Sequence, residues 1–264
     1  MEKQKMKLWK GSEFQLLRFL GRHRNELDRE ILRNTNINPD LDYNMDWQDF
    51  DYYIDTTFDA EPAGIYFIDY LELPDGVTEK WEEYWPQTGN MQNWDAVIEC
   101  RQVVPNSEKH DKWVIVEAKA HLNELESSSQ AGTKSREIIS KAFKETQERF
   151  GIKTQNSWFD KYYQLANRLA FINFMLSNNI EVSLLNIYFI NGWPEDTTKN
   201  VVSKEVWEEK IKDEYDYLGI NKNAKKYISE IFIDCKYTSR IKKQTEEKRL
   251  PRSGIGSRLV SYIK

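Results

Sequence analysis

Two short runs rich in β-branched and aromatic residues constrain the fold of this chain most. They span residues 93–100 (NWDAVIEC) and 112–121 (KWVIVEAKAH). Such runs are typical of strands, and the polar segment between them is rich in turn formers. An antiparallel hairpin is the simplest arrangement of the two. In a hairpin the start of the first strand lies beside the end of the second, so Asp95 is expected next to Glu117 and Lys119.

The side chains of a strand alternate between its two faces. Glu117 and Lys119 are therefore expected to share one face of the second strand. The apolar residues Val116, Ala118 and Ala120 take the other face. Two carboxylates and one lysine would then meet at one end of an apolar sheet. Mg²⁺ prefers oxygen ligands of this kind, and a lysine beside them can hold a nucleophilic water or a phosphate oxygen. A surface ion-pair cluster is the alternative interpretation.

The rest of the chain alternates between helical and strand patterns. Apolar periodicity predicts helices at residues 12–32, 135–150, 157–178 and 203–217, the last of them exposed. A capping box of Ser12 and Gln15 is expected to open the first helix. Runs of strand formers predict further strands at residues 64–73, 181–190 and 227–236. This order predicts an α/β fold with a central mixed β-sheet flanked by helices.

The chain has 264 residues, of which 39% are hydrophobic, and can therefore bury one substantial core. We assign residues 1–235 to a single domain and residues 236–264 to a basic C-terminal extension. The extension carries nine Lys or Arg and two Glu, a charge of +7, so the total of −5 leaves −12 for the domain. An acidic body with a basic extension suits a metal–carboxylate site beside a phosphate-contacting segment. A solvated terminus is the alternative.

A second acidic region is less specific than the hairpin. Residues 35–61 contain seven aspartates among aromatic side chains. Their spacing matches no calcium-loop pattern. We therefore expect an acidic loop or short helix that is anchored by its aromatic residues, and a metal cluster is the alternative.

Other features bear on the location of the protein. The N-terminal residues MEKQKMK are charged and precede no apolar segment, which is unlike a secretory signal. No apolar run approaches the roughly 20 residues that cross a bilayer, so no membrane partner is expected. Cys100 and Cys235 fall in predicted strands and are expected to be buried thiols in a reducing cytoplasm. Two cysteines and three histidines are too few for a zinc site to be expected.

The order of the chemical groups resembles a known family. An acid at the start of one strand (Asp95), an E-x-K triplet at the end of the next (Glu117 to Lys119), and then a helix and a strand resemble the PD-(D/E)xK superfamily of restriction-endonuclease-like nucleases. The fuller pattern at residues 85–86, 94–97, 116–121 and 163–170 looks like a group of uncharacterised bacterial proteins in that superfamily. The resemblance covers roughly residues 11–191. Trp94 replaces the proline of the nominal motif.

The resemblance implies a restriction-endonuclease-like core and a Mg²⁺-dependent (or Mn²⁺-dependent) nuclease that hydrolyses phosphodiester bonds, with DNA as the expected nucleic-acid partner. Asp95 and Glu117 would be the metal ligands, together with the backbone carbonyl of Ala118. Lys119 would orient or activate the attacking water and steady the charge that builds on the phosphate. The alternative function is a catalytically silent module that binds nucleic acid or a partner on the same fold. Because many relatives dimerise, a homodimer is a further expectation.

Three helical residues extend the implied site. Glu13 on the first helix is a candidate third carboxylate, and Gln164 resembles a glutamine that several nuclease branches carry after the core motif. Arg168 stands where some branches carry a tyrosine, and we also group it with the nucleic-acid-binding residues. The alternatives are an acid favoured by the helix dipole for Glu13 and a buried polar network for the other two residues.

Further basic and acidic residues complete the candidates. Arg136, Lys141 and Lys144 on one predicted helix are candidate contacts to the nucleic-acid backbone; a solvated helix face is the alternative. Asp234 and Lys236 form a rival D-x-K triplet at the end of the last predicted strand, but no hairpin with an acid at its start precedes them.

Overall fold

The fold is seen in a computed structural model. The structure describes residues 10–35, 43–48, 51–52, 59–68, 72–88, 91–102, 112–193 and 198–235. The basic extension at residues 236–264, Lys236 of the rival triplet included, lies outside the described residues.

A five-stranded mixed sheet forms the centre of the molecule, in the order β1-β4-β5-β6-β7. Its strands are β1 (Tyr43–Gln48), β4 (Ala96–Gln102), β5 (Lys112–Lys119), β6 (Glu181–Ile190) and β7 (Ile228–Asp234), and β2 (Asp51–Tyr52) pairs with β3 (Asp59–Ala60) apart from it. The helices are α1 (Ser12–Arg22), α2 (Arg24–Asn34), α3 (Val77–Tyr84), α4 (Thr133–Phe150), α5 (Tyr163–Ser177), α6 (Lys204–Leu218) and α7 (Lys222–Lys225). The predicted α/β fold with a mixed sheet and flanking helices is confirmed.

The directions of the strands place several carboxyl ends at one edge of the sheet. β4 pairs antiparallel with both β1 and β5, whereas β5, β6 and β7 run parallel. The ends of β5, β6 and β7 therefore lie side by side, together with the start of β4. Ligand sites of α/β sheets lie beyond this edge. Within the described residues, no helix is long and apolar enough to span a membrane.

Each face of the sheet has its own apolar core, because alternate residues of a strand point to opposite faces. Val116, Ala118 and Ala120 belong to the core beneath α1 and α2, as predicted. Val97 and Ile115 belong to the larger core beneath α3, α4, α5 and α6. Cys100 and Cys235 are buried free thiols, also as predicted. The polar members of β5 thus lie on the face that is covered by the longer helices.

One predicted strand is wrong, and one strand of the central sheet was not predicted. Residues 64–68 form turns instead of a strand, because Gly64 has a φ of 54° and the buried Ile65 and Ile68 are three residues apart, which does not suit a strand. Residues 43–48, expected as loop or short helix, form the edge strand β1. Its buried Trp47 donates a hydrogen bond to Asp28 at 2.9 Å.

The starts of two helices also differ from the predictions. Gly11, not Ser12, caps α1 without a side-chain hydrogen bond, and Gln15 donates to the carbonyl of Gly192 instead of closing a capping box. α5 begins at Tyr163, not Ser157, because the preceding residues form turns. The expected exposed helix, α6, buries one side against the larger core; its buried residues are Trp207, Ile211, Glu214, Tyr215 and Leu218.

Candidate active site

The β4–β5 hairpin sets the position of Asp95. Ala96 pairs with Val116, and the Asp95 N–H donates to the carbonyl of Val116 at 3.1 Å. The Oδ2 atom of Asp95 accepts a hydrogen bond from the Ala118 N–H at 2.6 Å. Asp95 is therefore held against the end of β5, immediately beside Glu117. The juxtaposition predicted from the hairpin is present in the structure.

Glu117 is the most constrained carboxylate of the site. It is 3% exposed and lies on the face of β5 that α5 covers. Its Oε2 atom accepts a hydrogen bond from the Lys119 ammonium at 3.0 Å. Its Oε1 atom accepts from Nε of Arg168 at 2.7 Å and also from Nη2 of that guanidinium. Two cations thus hold the two oxygens of one buried carboxylate.

Arg168 is a structural centre of the site. It is 5% exposed, its guanidinium donates to the carbonyl of Asn93 and to Oδ1 of Asn167, and it lies 4.6 Å from the centre of the Trp94 ring. With the Glu117 bonds, these contacts occupy the guanidinium inside the protein. The geometry favours the buried polar network over direct contact with nucleic acid. The ring of Trp94 is thus a platform for the arginine.

The two carboxylates of the hairpin differ in their protonation. Burial alone would raise the pKa of Glu117, but the charges and hydrogen bonds of Arg168 and Lys119 outweigh it and lower the pKa. Burial and the charge of Glu117 raise the pKa of Asp95 to about 7, against the opposing effect of Lys119. The positive charge near Asp95 is therefore too small to keep its pKa at the ordinary value, and a bound cation would lower that pKa.

Two further acids lie on the outer side of the site. Partial burial and the charges of Glu117 and Glu13 raise the pKa of Glu61. Glu13 lies in the first turn of α1 and keeps much of its solvent exposure, but neighbouring protein atoms shield it partly from water and so raise its pKa. Glu13 is thus linked to the site through Glu61, a residue that the sequence patterns did not identify. Glu61 lies outside any periodic element, so no sequence signal marks it.

Gln164 lines a small cavity together with Glu117, Lys119 and Arg168. The cavity therefore lies beside the hairpin carboxylate, on the α5 side. Asn186, Tyr188 and Glu214 also line it. Of these, Asn186 interrupts an apolar strand and Glu214 occupies the apolar face of α6, seven residues after Trp207. Both irregularities are visible in the sequence and could have identified these residues.

The basic residues of α4 lie away from this network. Lys141 and Lys144 have side chains that are 82% and 77% exposed, each within 4.0 Å of a glutamate one helical turn on. Arg136 lies over the ring of Phe159 at 4.0 Å and beside Asp160. Their contact with nucleic acid stays a prediction. All three basic residues pair with acids, which agrees with the alternative interpretation of a solvated helix face.

Asp234 of the rival triplet lies at the same sheet edge but has different surroundings. Asp234 ends β7, the second strand after β5 in the sheet, and accepts a hydrogen bond from the Asn191 amide at 2.8 Å. The strand beside it, β6, is parallel to β7, so Ile190 at the end of β6 lies opposite Asp234, and no antiparallel neighbour among the described strands brings an acid from its start to this position. His121, which follows β5, lies 3.7 Å from Glu124 and packs edge-on against Trp193. Neither Asp234 nor His121 belongs to the hydrogen-bond network of Glu117 that the described residues form.

The donor set at Asp95 suits only some cations. Within the described ranges, no group of three or more His, Cys, Asp and Glu side chains is arranged to hold a metal ion. A closed site of the kind that calcium or structural zinc requires is therefore missing from this part of the chain. Mg²⁺ commonly binds through one or two carboxylates and completes its coordination with water and substrate phosphate. Asp95 and Glu117 supply the two carboxylates that this open mode uses.

The comparisons with known proteins found no relative of this chain. No protein-family model, curated protein or solved structure matches the chain. A functional assignment therefore depends on the residues themselves and on their geometry.

Proposed function

We propose that the chain is a metal-dependent nuclease that hydrolyses phosphodiester bonds, with DNA as the expected substrate and a restriction-endonuclease-like core. The observation that carries the proposal is the meeting of Asp95, Glu117 and Lys119 at the end of β5, in the order that resembles the PD-(D/E)xK pattern. A Mg²⁺ or Mn²⁺ ion bound there supplies Lewis-acid contact and an acidified water for phosphodiester hydrolysis.

Lys119 has the properties of a fixed positive charge. It is 9% exposed; burial alone would lower its pKa, but the charges of Glu117 and Asp95 raise it above its ordinary value. A lysine that stays protonated cannot act as a general base at neutral pH. Its role in the proposal is to orient the attacking water and to neutralise the charge that develops on the phosphate.

Glu117 and Arg168 support this arrangement in different ways. Glu117 orients the Lys119 ammonium through Oε2 and offers its remaining lone pairs to the cation. Arg168 fixes the carboxylate from the helix side. Because Arg168 is itself held by Asn93 and Asn167, the carboxylate cannot turn away from β5. The site is therefore rigid before substrate arrives, as electrostatic catalysis requires.

A second candidate is a catalytically silent module that binds nucleic acid or a protein partner. The observation in its favour is that both oxygens of Glu117 already accept hydrogen bonds from cations. A carboxylate that is neutralised by two side chains has less electrostatic attraction left for a metal ion. The two candidates differ in whether the protein turns over substrate.

Cleavage assays separate these candidates. Single- and double-stranded DNA and RNA are incubated with the wild type and with Lys119→Ala, each with Mg²⁺, with Mn²⁺ or with chelator. We expect metal-dependent cleavage of DNA by the wild type and a loss of at least about 100-fold in Lys119→Ala, the magnitude that removal of one oxyanion donor produces. Lys212→Ala is the control, because Lys212 is an exposed lysine on α6, and it should cleave as the wild type does.

The opposite result is equally clear. A folded wild-type protein that cleaves none of these substrates in either metal contradicts the nuclease proposal. Retained binding of a nucleic acid by that inactive protein would then favour the silent module.

A further inference from the structure

The cavity beside Glu117 is lined by polar residues from several elements. Lys119, Arg168 and Gln164 line it together with Tyr188 of β6 and Glu214 of α6. Its volume is about 20 Å³, and a cavity needs roughly 10–15 Å³ to hold one water molecule. The cavity thus has room for water but not for a nucleotide or another organic ligand.

Two buried residues of this cavity have polar groups without a hydrogen bond to any described residue. The hydroxyl of Tyr188, a residue that is 1% exposed, makes no hydrogen bond. The carboxyl of Glu214, which is 3% exposed, has no hydrogen-bond partner among the described residues. A buried polar group without a hydrogen bond costs about 1–3 kcal/mol. The Tyr188 hydroxyl is such a group, and the Glu214 carboxyl on the same cavity is a second polar group that can bind a polar ligand there. A water molecule with two to four polar neighbours meets this need.

Lys119 supplies the donors that such a water requires. Its ammonium has three N–H groups, and within the described residues Glu117 takes one of them at 3.0 Å. The Lys119 ammonium and the Glu214 carboxyl interact electrostatically and line the same cavity. A water between them would accept from Lys119 and hydrogen-bond to the carboxyl and the tyrosine hydroxyl.

We propose that Glu214 and Tyr188 hold an ordered water in this cavity that positions the Lys119 ammonium. The inference rests on the proposed function for its catalytic consequence, because the charge of Lys119 acts in the reaction. Glu214 and Tyr188 are positioning residues: they act through Lys119 and take no part in bond making. The proposal adds Glu214 of α6 and Tyr188 of β6 to a site whose other residues come from the hairpin and α5.

The water itself is tested without any activity. A crystal structure of the wild-type protein should show an ordered water within about 3.2 Å of the Tyr188 hydroxyl and the Glu214 carboxyl, linked to Nζ of Lys119. Glu214→Leu, which removes the polar atoms at similar size, should lose this water. A cavity without that water in the wild type, or direct hydrogen bonds from Glu214 and Tyr188 to other side chains, would overturn the proposal.

Kinetics test the positioning role. We expect Glu214→Leu and Tyr188→Phe to lower kcat for DNA cleavage about 10- to 100-fold with KM within about twofold, as loss of a supporting hydrogen-bond partner does around metal sites. Glu214→Gln, which can still bind the water, should recover kcat to within about threefold of the wild type. Glu208→Leu is the matched control, a glutamate on α6 with a half-exposed side chain, and should leave both constants unchanged.

The two proposals fail differently. A wild type without cleavage contradicts the nuclease proposal, and the crystal structure still decides whether the water is present. A wild type that cleaves, with a folded Glu214→Leu variant of unchanged kcat, contradicts the positioning role alone.

Discussion

Two buried carboxyl groups, Glu117 and Glu214, line the same cavity and are in opposite electrostatic situations. Glu117 lies between Arg168 and Lys119, and the two cations lower its pKa despite burial. Glu214 has no cation at hydrogen-bond distance among the described residues, and burial raises its pKa to about 8. Both residues are 3% exposed. Burial alone therefore does not decide the charge of an acid; its partners do.

This difference divides the site into two functional regions. The region around Glu117 is charged and rigid, and it presents Lys119 and Asp95 at the sheet edge. The region around Glu214 holds a neutral acid at pH 7 and unpartnered polar atoms. A charged carboxylate suits a cation, whereas a protonated carboxyl suits a water.

The largest effect is expected from removing a cation of Glu117. Arg168→Leu should lower the free energy of unfolding by about 3–5 kcal/mol, because breaking a buried ion pair leaves a charge without its partner. Urea unfolding at pH 7 measures this change. Arg149→Leu is the control, since the hydrogen-bond partners of Arg149 among the described residues are the neutral side chains of Asn173 and Ser177, and it should cost less, about 1–3 kcal/mol.

The double variant Glu117→Gln with Arg168→Leu sharpens the same test. Removing both charges together should cost clearly less than the sum of the two single substitutions, because neither partner is then left charged and buried. Additive single effects would show that the two side chains do not stabilise each other.

The next effect concerns pH and Glu214. Between its ordinary pKa of 4.5 and a folded pKa of about 8, the folded protein keeps a proton that the unfolded chain releases. The free energy of unfolding therefore falls as pH rises through this window and levels off above it. In Glu214→Gln the fall should be smaller by about 2–4 kcal/mol between pH 5 and pH 9. Equal pH profiles of the two proteins would mean that Glu214 is ionised in the fold.

The smallest effect is expected on α4. Lys144→Ala removes a lysine whose side chain is 77% exposed and whose glutamate partner is also exposed, so the free energy of unfolding should change by less than about 0.5 kcal/mol. Binding of a DNA duplex at several salt concentrations tests the predicted backbone contact. Loss of one phosphate contact lowers the salt slope by about one; an unchanged slope would assign Lys144 to a solvated face.

The hairpin and its register could be predicted from the sequence because they depend on local rules. Strand formers, a polar turn segment and a period of two place Asp95 beside Glu117, and the structure shows this pairing. The mixed sheet follows from the order of the elements in the same way. The role of Trp94 as a platform for Arg168 could not be predicted, because it depends on how α5 crosses the sheet.

Long-range partners account for most of what the patterns did not identify. Glu117 and Arg168 are 51 residues apart, and no local rule joins them. Glu61 reaches the site from an irregular segment. The expected strand at residues 64–68 is wrong because turns that pack on α3 and α5 bury its apolar residues. Strand propensity does not predict burial by turns. Glu214, by contrast, was detectable, since an acid on the apolar face of α6 breaks the helical pattern.

Cation binding tests the central claim most directly. Isothermal titration of the wild type with Mn²⁺ should show one binding event, and Asp95→Asn and Glu117→Gln should each weaken it at least about tenfold, with Glu214→Gln binding as the wild type does. A wild type that binds no Mn²⁺, or that binds it as tightly as the folded Asp95→Asn variant, would contradict a cation site at the end of β5.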